Sequence, residues 1–241
     1  MKLLLTLLGF LKLGKVFTTG GTMLLSVFAY AWIFGWSYAV GFVLLIFVHE
    51  MGHYIAARQR GLEVGAPTFI PFVGAWIALK DQPLNVETEA YVAFAGPLVG
   101  SIGAIVCYFL ARHYDNTLLL ALAYAGLFIN LFNLIPLSPF DGGRITAIIS
   151  PRMWLIGAPI LVALFFYYPS PLLILMALIA APQVWKALHF DPSAPENAAY
   201  YSTKTEMRVT YAVYYLVLAG FLAVMTGEVH DMLGAVHSRG D

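Results

Sequence analysis

Two histidines four residues apart, with a glutamate beside the first, end an apolar stretch of the chain. The motif is His49-Glu50-Met51-Gly52-His53, and it follows the apolar run 41–48. Because a helix turns about 100° per residue, positions i and i+4 lie on one face, where two imidazoles can bind one Zn²⁺. Glu50 would then reach a water on the metal. The spacing therefore predicts a hydrolytic zinc site.

The plain alternative for an HExxH pattern is a solvated helix surface. Composition argues against it: 61% of the residues are hydrophobic, 11% are charged, and the mean hydropathy is +0.80, whereas a soluble domain is about 25% charged. Each charged group near the centre of a bilayer costs roughly 3 kcal/mol unless it is paired, ligated or wetted. We therefore expect an integral membrane protein that uses these groups to bind metal. Net charge is zero and no basic block is present, so we expect no nucleic-acid partner.

Apolar windows of about 20 residues predict the membrane spans. They lie near 16–34, 38–57, 90–111, 117–150 with an interruption, 153–168, 171–188 and 209–226. The fifth window is short and contains Pro159, so the prediction is six or seven transmembrane helices. The fold class expected is an all-α polytopic membrane protein, with 1–241 as a single membrane-embedded domain.

The basic residues are unevenly distributed among the predicted loops. With seven spans and a cytoplasmic N-terminus, all but Arg112 and Arg239 of the 13 Lys and Arg residues fall at or near the cytoplasmic side. In this orientation the HExxH motif lies one to two helical turns from Arg58, near the cytoplasmic end of the second span. We expect a multi-pass protein of the cell membrane whose site receives water from the cytosol.

Two imidazoles do not complete a zinc site, because a third side chain must bind and leave one position for water. Ala56 and Gln59 stand where the metzincin pattern has Gly and His, so the third ligand is not local. The other ionisable candidates are Glu63, Glu87, Glu89, His113, Asp115 and Asp141.

Asp141 is the best of these candidates. It follows the fourth apolar run, in a segment broken by Pro136, Pro139 and the pair Gly142-Gly143. Broken backbone at membrane depth is tolerated only where it is buried in protein or lines a polar cavity. The three glutamates lie in polar segments where solvation is the simpler interpretation, and His113 and Asp115 are predicted on the opposite face.

The chain resembles the site-2 proteases, a family of intramembrane zinc metalloproteases. The resemblance rests on the HExxH motif, on Phe94-Ala95-Gly96-Pro97, and on Asn133-Leu134-Ile135-Pro136 followed by Asp141-Gly142-Gly143. It implies one zinc ion per chain, with His49, His53 and Asp141 as its ligands. It also implies that Glu50 is the catalytic carboxylate and that Asn133 positions substrate or stabilises the oxyanion.

The activity implied by the resemblance is hydrolysis of peptide bonds within or near transmembrane segments, as in regulated intramembrane proteolysis. The catalytic core would be about 38–150, with accessory spans over 151–241, and the partners would be a transmembrane protein substrate and the lipid bilayer. The polar loop from His189 to Arg208 is too short for the PDZ or CBS modules of many relatives, so we expect a short form of the family.

The apolar segment 64–80 is too interrupted by Gly and Pro for a spanning helix, and we interpret it as short strands. Similar family members have a membrane-associated β-hairpin here, whose edge could receive an unwound substrate. The alternative is a lipid-facing loop.

Two other functional classes stay open at this point. A transporter would also use a broken helix and buried ionisable groups, but it would not need Glu50 between the two histidines. A pseudoenzyme would bind membrane proteins without cutting them. Zinc stoichiometry, together with cleavage of a model membrane peptide, would separate the three.

Overall fold

The computed structural model describes residues 2–72, 74–79 and 85–240, most of them in helices. Helices α1 (Lys2–Phe34) and α2 (Trp36–Gln59) precede strands β1 (Val64–Ile70) and β2 (Gly74–Leu79). Then follow α3 (Val86–Tyr114), α4 (Thr117–Asn133), α5 (Asp141–Ala147), a 3₁₀ turn (Pro151–Met153), α6 (Trp154–Tyr167), α7 (Pro171–Leu188), α8 (Pro195–Tyr200) and α9 (Thr205–Gly240). The predicted helical architecture is confirmed.

Four of these helices are long and apolar enough to cross a membrane. They are α2, α3, α7 and the part of α9 from Thr205 to Val236, and the shorter apolar helices are Thr18–Phe34, Thr117–Asn133 and Pro151–Tyr167. All seven predicted apolar windows coincide with helices, and the fourth is interrupted after Asn133 as expected. A membrane protein with several spans is thus supported, whereas the number six or seven stays a prediction.

Helix α3 packs between α2 and α4 and connects the parts of the bundle that carry the histidines and the broken segment. Small residues allow this close packing: Gly103 faces Val48 and Leu45, and Gly126 of α4 faces Ala104. Small residues are typical of helix contacts in membranes, where apolar burial alone gives no drive for association.

The strands form an antiparallel hairpin, with Val64 opposite Leu79 and Ile70 opposite Gly74. Side chains of α1 bond to the backbone of β1. The Thr19 hydroxyl donates to the Pro67 carbonyl at 2.8 Å, and the Phe69 amide donates to the Thr22 hydroxyl at 3.2 Å. The predicted strands are therefore confirmed. Because α1 satisfies polar groups of β1, helix and hairpin form one structural unit.

Between α4 and α5 the chain leaves helical geometry for seven residues, 134–140. Two aromatic side chains from later helices satisfy backbone carbonyls around this break: the Tyr215 hydroxyl donates to Leu134 at 2.7 Å, and the Trp154 indole donates to Gly143 at 2.8 Å. Buried carbonyls without such donors would be costly in a bilayer. The C-terminal helices thus stabilise the irregular backbone that leads to Asp141.

Contacts between helices bring charged residues together at one end of the bundle. Arg60 lies 4.0 Å from the Glu87 carboxylate, and Arg144 lies 3.9 Å from that of Glu89. Arg112 is at the other end of α3. The structure therefore groups at one end several residues that the sequence assigns to the cytoplasmic side.

Candidate metal centre

The histidines of the HExxH motif and Asp141 meet inside the helical bundle. The Asp141 Oδ2 atom lies 3.2 Å from Nε2 of His49 and 3.2 Å from Nε2 of His53. The two Nε2 atoms are 3.1 Å apart. His49 is only 5% exposed and Asp141 only 7%. Among the residues described, these three form the cluster of His, Cys, Asp and Glu side chains that could hold a metal ion.

Each imidazole is oriented by a hydrogen bond from its other nitrogen. His53 Nδ1 lies 2.8 Å from the Val92 carbonyl of α3, which can only accept. His49 Nδ1 lies 2.8 Å from Asn130 Oδ1, while the Asn130 amide group donates to the Gly126 carbonyl at 2.7 Å. Nδ1 is therefore the donor in both rings. In a neutral imidazole this leaves a lone pair on Nε2, so two lone pairs and a carboxylate converge on one point.

Glycines bring α2 and α3 close enough for this arrangement. A Cβ at Gly52 would overlap the backbone of Ala95, and one at Gly96 would overlap the His53 imidazole. Gly96 is part of the Phe94-Ala95-Gly96-Pro97 motif. The motif therefore has a local physical reason: α3 must present bare backbone to the ring of His53.

Glu50 follows His49 in α2 and is buried, with 5% of its surface exposed. It lies close enough to His49, Asp141 and Arg144 to interact electrostatically with all three. Glu50 is outside the three-residue cluster that could hold a metal, and its role in proton transfer stays a prediction.

Asn133 ends α4 and is half-buried. Its side-chain amide donates to the Ile129 carbonyl at 3.1 Å. This bond uses one of the two N–H groups of the amide. The structure thus places Asn133 one turn from Asn130, with a donor to spare, and its role at the site stays a prediction.

The rejected candidates for the third ligand lie elsewhere. Glu87 faces Arg60, and Glu89 accepts from the Tyr200 hydroxyl and faces Arg144. Glu63 is exposed, and Asp115 caps the far end of α3. Of the six candidates, Asp141 is the one in the described structure that joins both histidines.

Asn130 and the Val92 carbonyl are the parts of the site that sequence reasoning did not assign. Asn130 carried a signal, because it is an amide one turn from Asn133 in an apolar helix. Such an amide can line a site or bond to a neighbouring helix, and the structure shows its bond to His49 of α2. Val92 gave no such signal in the sequence, because it contributes its backbone carbonyl, a group that every residue has.

Asn130→Ala is expected to weaken zinc affinity by about 10–100-fold, the usual effect of removing a group that orients a ligating histidine. Competition with a chromogenic zinc chelator would measure it. Asn133→Ala is the matched control, because it removes the same side chain from the same helix one turn away. Equal affinity of wild type and the Asn130 variant would contradict the orienting role.

Comparison with known proteins identifies the relatives of this chain. Residues 37–116 match the model of peptidase family M50. A zinc metalloprotease of Methanocaldococcus jannaschii is 36% identical over 124 residues, 48% of this chain and 36% of that protein. A putative zinc metalloprotease of Mycobacterium tuberculosis is 31% identical over 123 residues, 47% of this chain and 31% of that protein. The chain thus spans about a third of the length of these relatives.

Two further matches come from M. jannaschii. A putative zinc metalloprotease is 29% identical over 174 residues, covering 57% of this chain and 87% of that protein. The solved structure of a site-2 protease aligns with a TM-score of 0.46 and 23% identity, over 69% of this chain and 85% of that chain. The resemblance seen in the sequence is confirmed to this extent: the chain is similar to peptidase family M50 over residues 37–116 and, over about half of its length, to proteins named zinc metalloproteases.

Proposed function

We propose that the chain is an intramembrane zinc metalloendopeptidase that hydrolyses peptide bonds within or near transmembrane segments of membrane-protein substrates. The observation that carries this proposal is the convergence of His49, His53 and Asp141 inside a bundle of apolar helices. The names of the similar proteins agree with it. Regulated intramembrane proteolysis is the process in which such an activity would act.

The donor set fits one zinc ion. Zinc bonds of about 2.0–2.2 Å in a tetrahedron separate neighbouring ligand atoms by about 3.3–3.6 Å. The observed separations of 3.1 and 3.2 Å need to open by only a few tenths of an ångström. Two imidazoles and one carboxylate are a catalytic donor set, since three protein ligands leave a fourth position open.

Glu50 has the proton-transfer role in this proposal. When bound, zinc would supply Lewis-acid chemistry, polarising a peptide carbonyl and making water acidic enough to lose a proton near neutral pH. The Glu50 carboxylate accepts that proton and returns it to the nitrogen of the departing peptide. Its burial keeps it next to the ligands and away from bulk water.

We assign substrate positioning or oxyanion stabilisation to Asn133. One N–H of its amide donates to Ile129, and the other remains for a carbonyl oxygen of the substrate. A transmembrane substrate hides its carbonyls in i to i+4 bonds, so it must unwind locally before it can use this donor. In this proposal the outer edge of β2 supplies main-chain partners to an extended segment of the substrate.

The membrane arrangement belongs to the same proposal. Residues 1–241 form one membrane domain, with a catalytic core over about 38–150 and accessory spans over 151–241. Contacts of Trp154 and Tyr215 with the broken segment support joint folding of core and accessory helices. The N-terminus lies in the cytoplasm of a multi-pass cell-membrane protein, and water reaches the site from that side.

Thiol labelling would test this orientation. A cysteine at Gln59 is expected to react with a membrane-impermeant reagent from the cytosolic side, and one at Asn116 from the opposite side. Cys107→Ala removes the native thiol first. Cytosolic labelling at position 116 would reverse the orientation.

Cleavage of a model transmembrane peptide in liposomes, run in ¹⁸O-water, tests the proposed function. The peptide should carry a Gly-Pro break within its apolar helix. We expect two products, with ¹⁸O in the new carboxyl group, because hydrolysis adds water oxygen to the carbonyl carbon. An uninterrupted poly-Leu helix of equal length is the control. Zinc-loaded protein that leaves both peptides intact would favour a pseudoenzyme, and ion flux without cleavage would favour a transporter.

A further inference from the structure

A cavity of about 350 Å³ lies where α5 ends, between the loop after α7, helix α8 and the start of α9. This volume is within the range of about 300–1,000 Å³ typical of small-molecule sites. Its principal lining residues are Ser150, Arg152, Phe190, Asn197, Tyr201 and Arg208. None of the lining residues belongs to the metal cluster, so the cavity is a separate feature.

The cavity carries positive charge. Arg152 and Arg208 both line it. Within the described part of the chain, the ion pairs of arginines with carboxylates involve Arg60 and Arg144, not these two. Two arginines that form no ion pair with a carboxylate in the described part of the chain therefore line one space, which favours an anionic ligand.

Arg208 is held in place by the backbone. Its Nη1 donates to the carbonyls of Ile148 and Ile149 at 2.8 and 2.7 Å, and Nη2 donates to that of Tyr201 at 2.8 Å. A guanidinium has five N–H donors, so these contacts leave two for a ligand. Its position is fixed without a ligand, so binding would not cost the conformational entropy of ordering this side chain.

Donors other than Arg208 also remain for a ligand. Arg152 is an exposed residue that lines the cavity. The Ser150 hydroxyl accepts from the Arg152 amide, and its own proton remains for a ligand in these contacts. Arginine forks and a serine hydroxyl are the donors that match phosphate oxygens.

The position of the cavity beside the ends of two candidate spans indicates where such a phosphate would come from. Candidate span α7 ends at Leu188 and the span in α9 begins at Thr205, and residues of the connection between them line the cavity. The ends of membrane spans are where the hydrocarbon gives way to lipid headgroups. Exposed Trp185, in the last turn of α7, is of the type that anchors helices at this level.

We propose that this cavity binds the phosphate group of an anionic lipid headgroup, held between Arg152 and Arg208. The bound phosphate would be linked to the end of α5 through Arg208, which donates to the carbonyls of Ile148 and Ile149. Helix α5 also carries Asp141. The proposal does not rest on peptidase activity and requires only that the chain is embedded in a membrane.

Native mass spectrometry of the purified protein tests this site. The detergent-solubilised protein is incubated with equal amounts of phosphatidylglycerol and phosphatidylcholine. The lipids that stay bound are identified and counted from the mass that they add to the protein. We expect one phosphatidylglycerol per chain in wild type and about fivefold weaker retention in Arg152→Gln, the effect of one basic residue facing an anionic lipid. Arg152→Glu should abolish retention. Arg208 is left intact because it also holds α5.

Arg58→Gln is the matched control, because Arg58 is an exposed arginine on the predicted cytoplasmic side and outside the cavity. It should retain phosphatidylglycerol as wild type does. A parallel incubation with inorganic phosphate distinguishes the source: an Arg152-dependent phosphate adduct without lipid would assign the site to free phosphate. Equal retention of both lipids, or equal losses in the Arg58 and Arg152 variants, would overturn the proposal.

Discussion

Glu50→Gln protein is expected to retain one zinc per chain and to lose peptide hydrolysis by at least about 100-fold, the lower range for removal of a general base. The physical reason is that glutamine keeps the shape of the buried side chain but cannot accept a proton. The proposed ligand atoms are those of His49, His53 and Asp141, so the metal should stay. Metal analysis by mass spectrometry and single-turnover cleavage of the membrane peptide measure the two quantities.

Glu228→Gln is the matched control, since it makes the same chemical change at an exposed position of α9. Its zinc content and rate should equal those of wild type. Loss of metal together with activity in the Glu50 variant would show that Glu50 is a ligand. Full activity with metal retained would show that another group takes the proton.

Asp141→Ala is expected to weaken zinc binding by more than about 100-fold, because it removes one of three protein ligands and not merely a group that supports them. His49→Ala and His53→Ala should act similarly. Each variant leaves two protein ligands, whereas a catalytic zinc site needs three. Zinc per chain after dialysis against a buffered zinc concentration measures the loss.

Helical content must be compared in the same samples, because α5 is buried and its first residue is Asp141. Asp231→Ala provides the control, as an exposed aspartate of α9. A folded Asp141→Ala protein with a full complement of zinc would refute Asp141 as a ligand. Loss of zinc in the Asp231 variant would indicate a general effect of charge.

The elements of this fold could be predicted largely from local patterns. The apolar windows coincide with helices, and Gly and Pro in segment 64–80 indicated strands that the structure contains. Asp141 could be selected because broken backbone within a membrane needs a reason. All of these signals lie within one stretch of chain, where spacing and composition determine the outcome.

Contacts across helices could not be predicted in this way. The bond from His49 to Asn130 joins residues 81 apart in sequence, and that from Tyr215 to Leu134 spans a similar distance. Such pairs depend on the rotation and depth of each helix, which small residues such as Gly96 determine only once the bundle is assembled. The sequence therefore indicated candidate ligating groups, which the structure brings together, but not the groups that orient them.

Zinc K-edge X-ray absorption of the protein in a bilayer reads the number and type of atoms around the metal, and so tests the assignment of the zinc ligands. We expect one zinc per chain bound by two imidazole nitrogens and by oxygen, at about 2.0–2.2 Å. Asn130→Ala should alter the imidazole contribution, and Asp141→Ala should remove the signal. A spectrum without imidazole, or a shell of oxygens alone, would contradict the assignment of His49 and His53 as ligands.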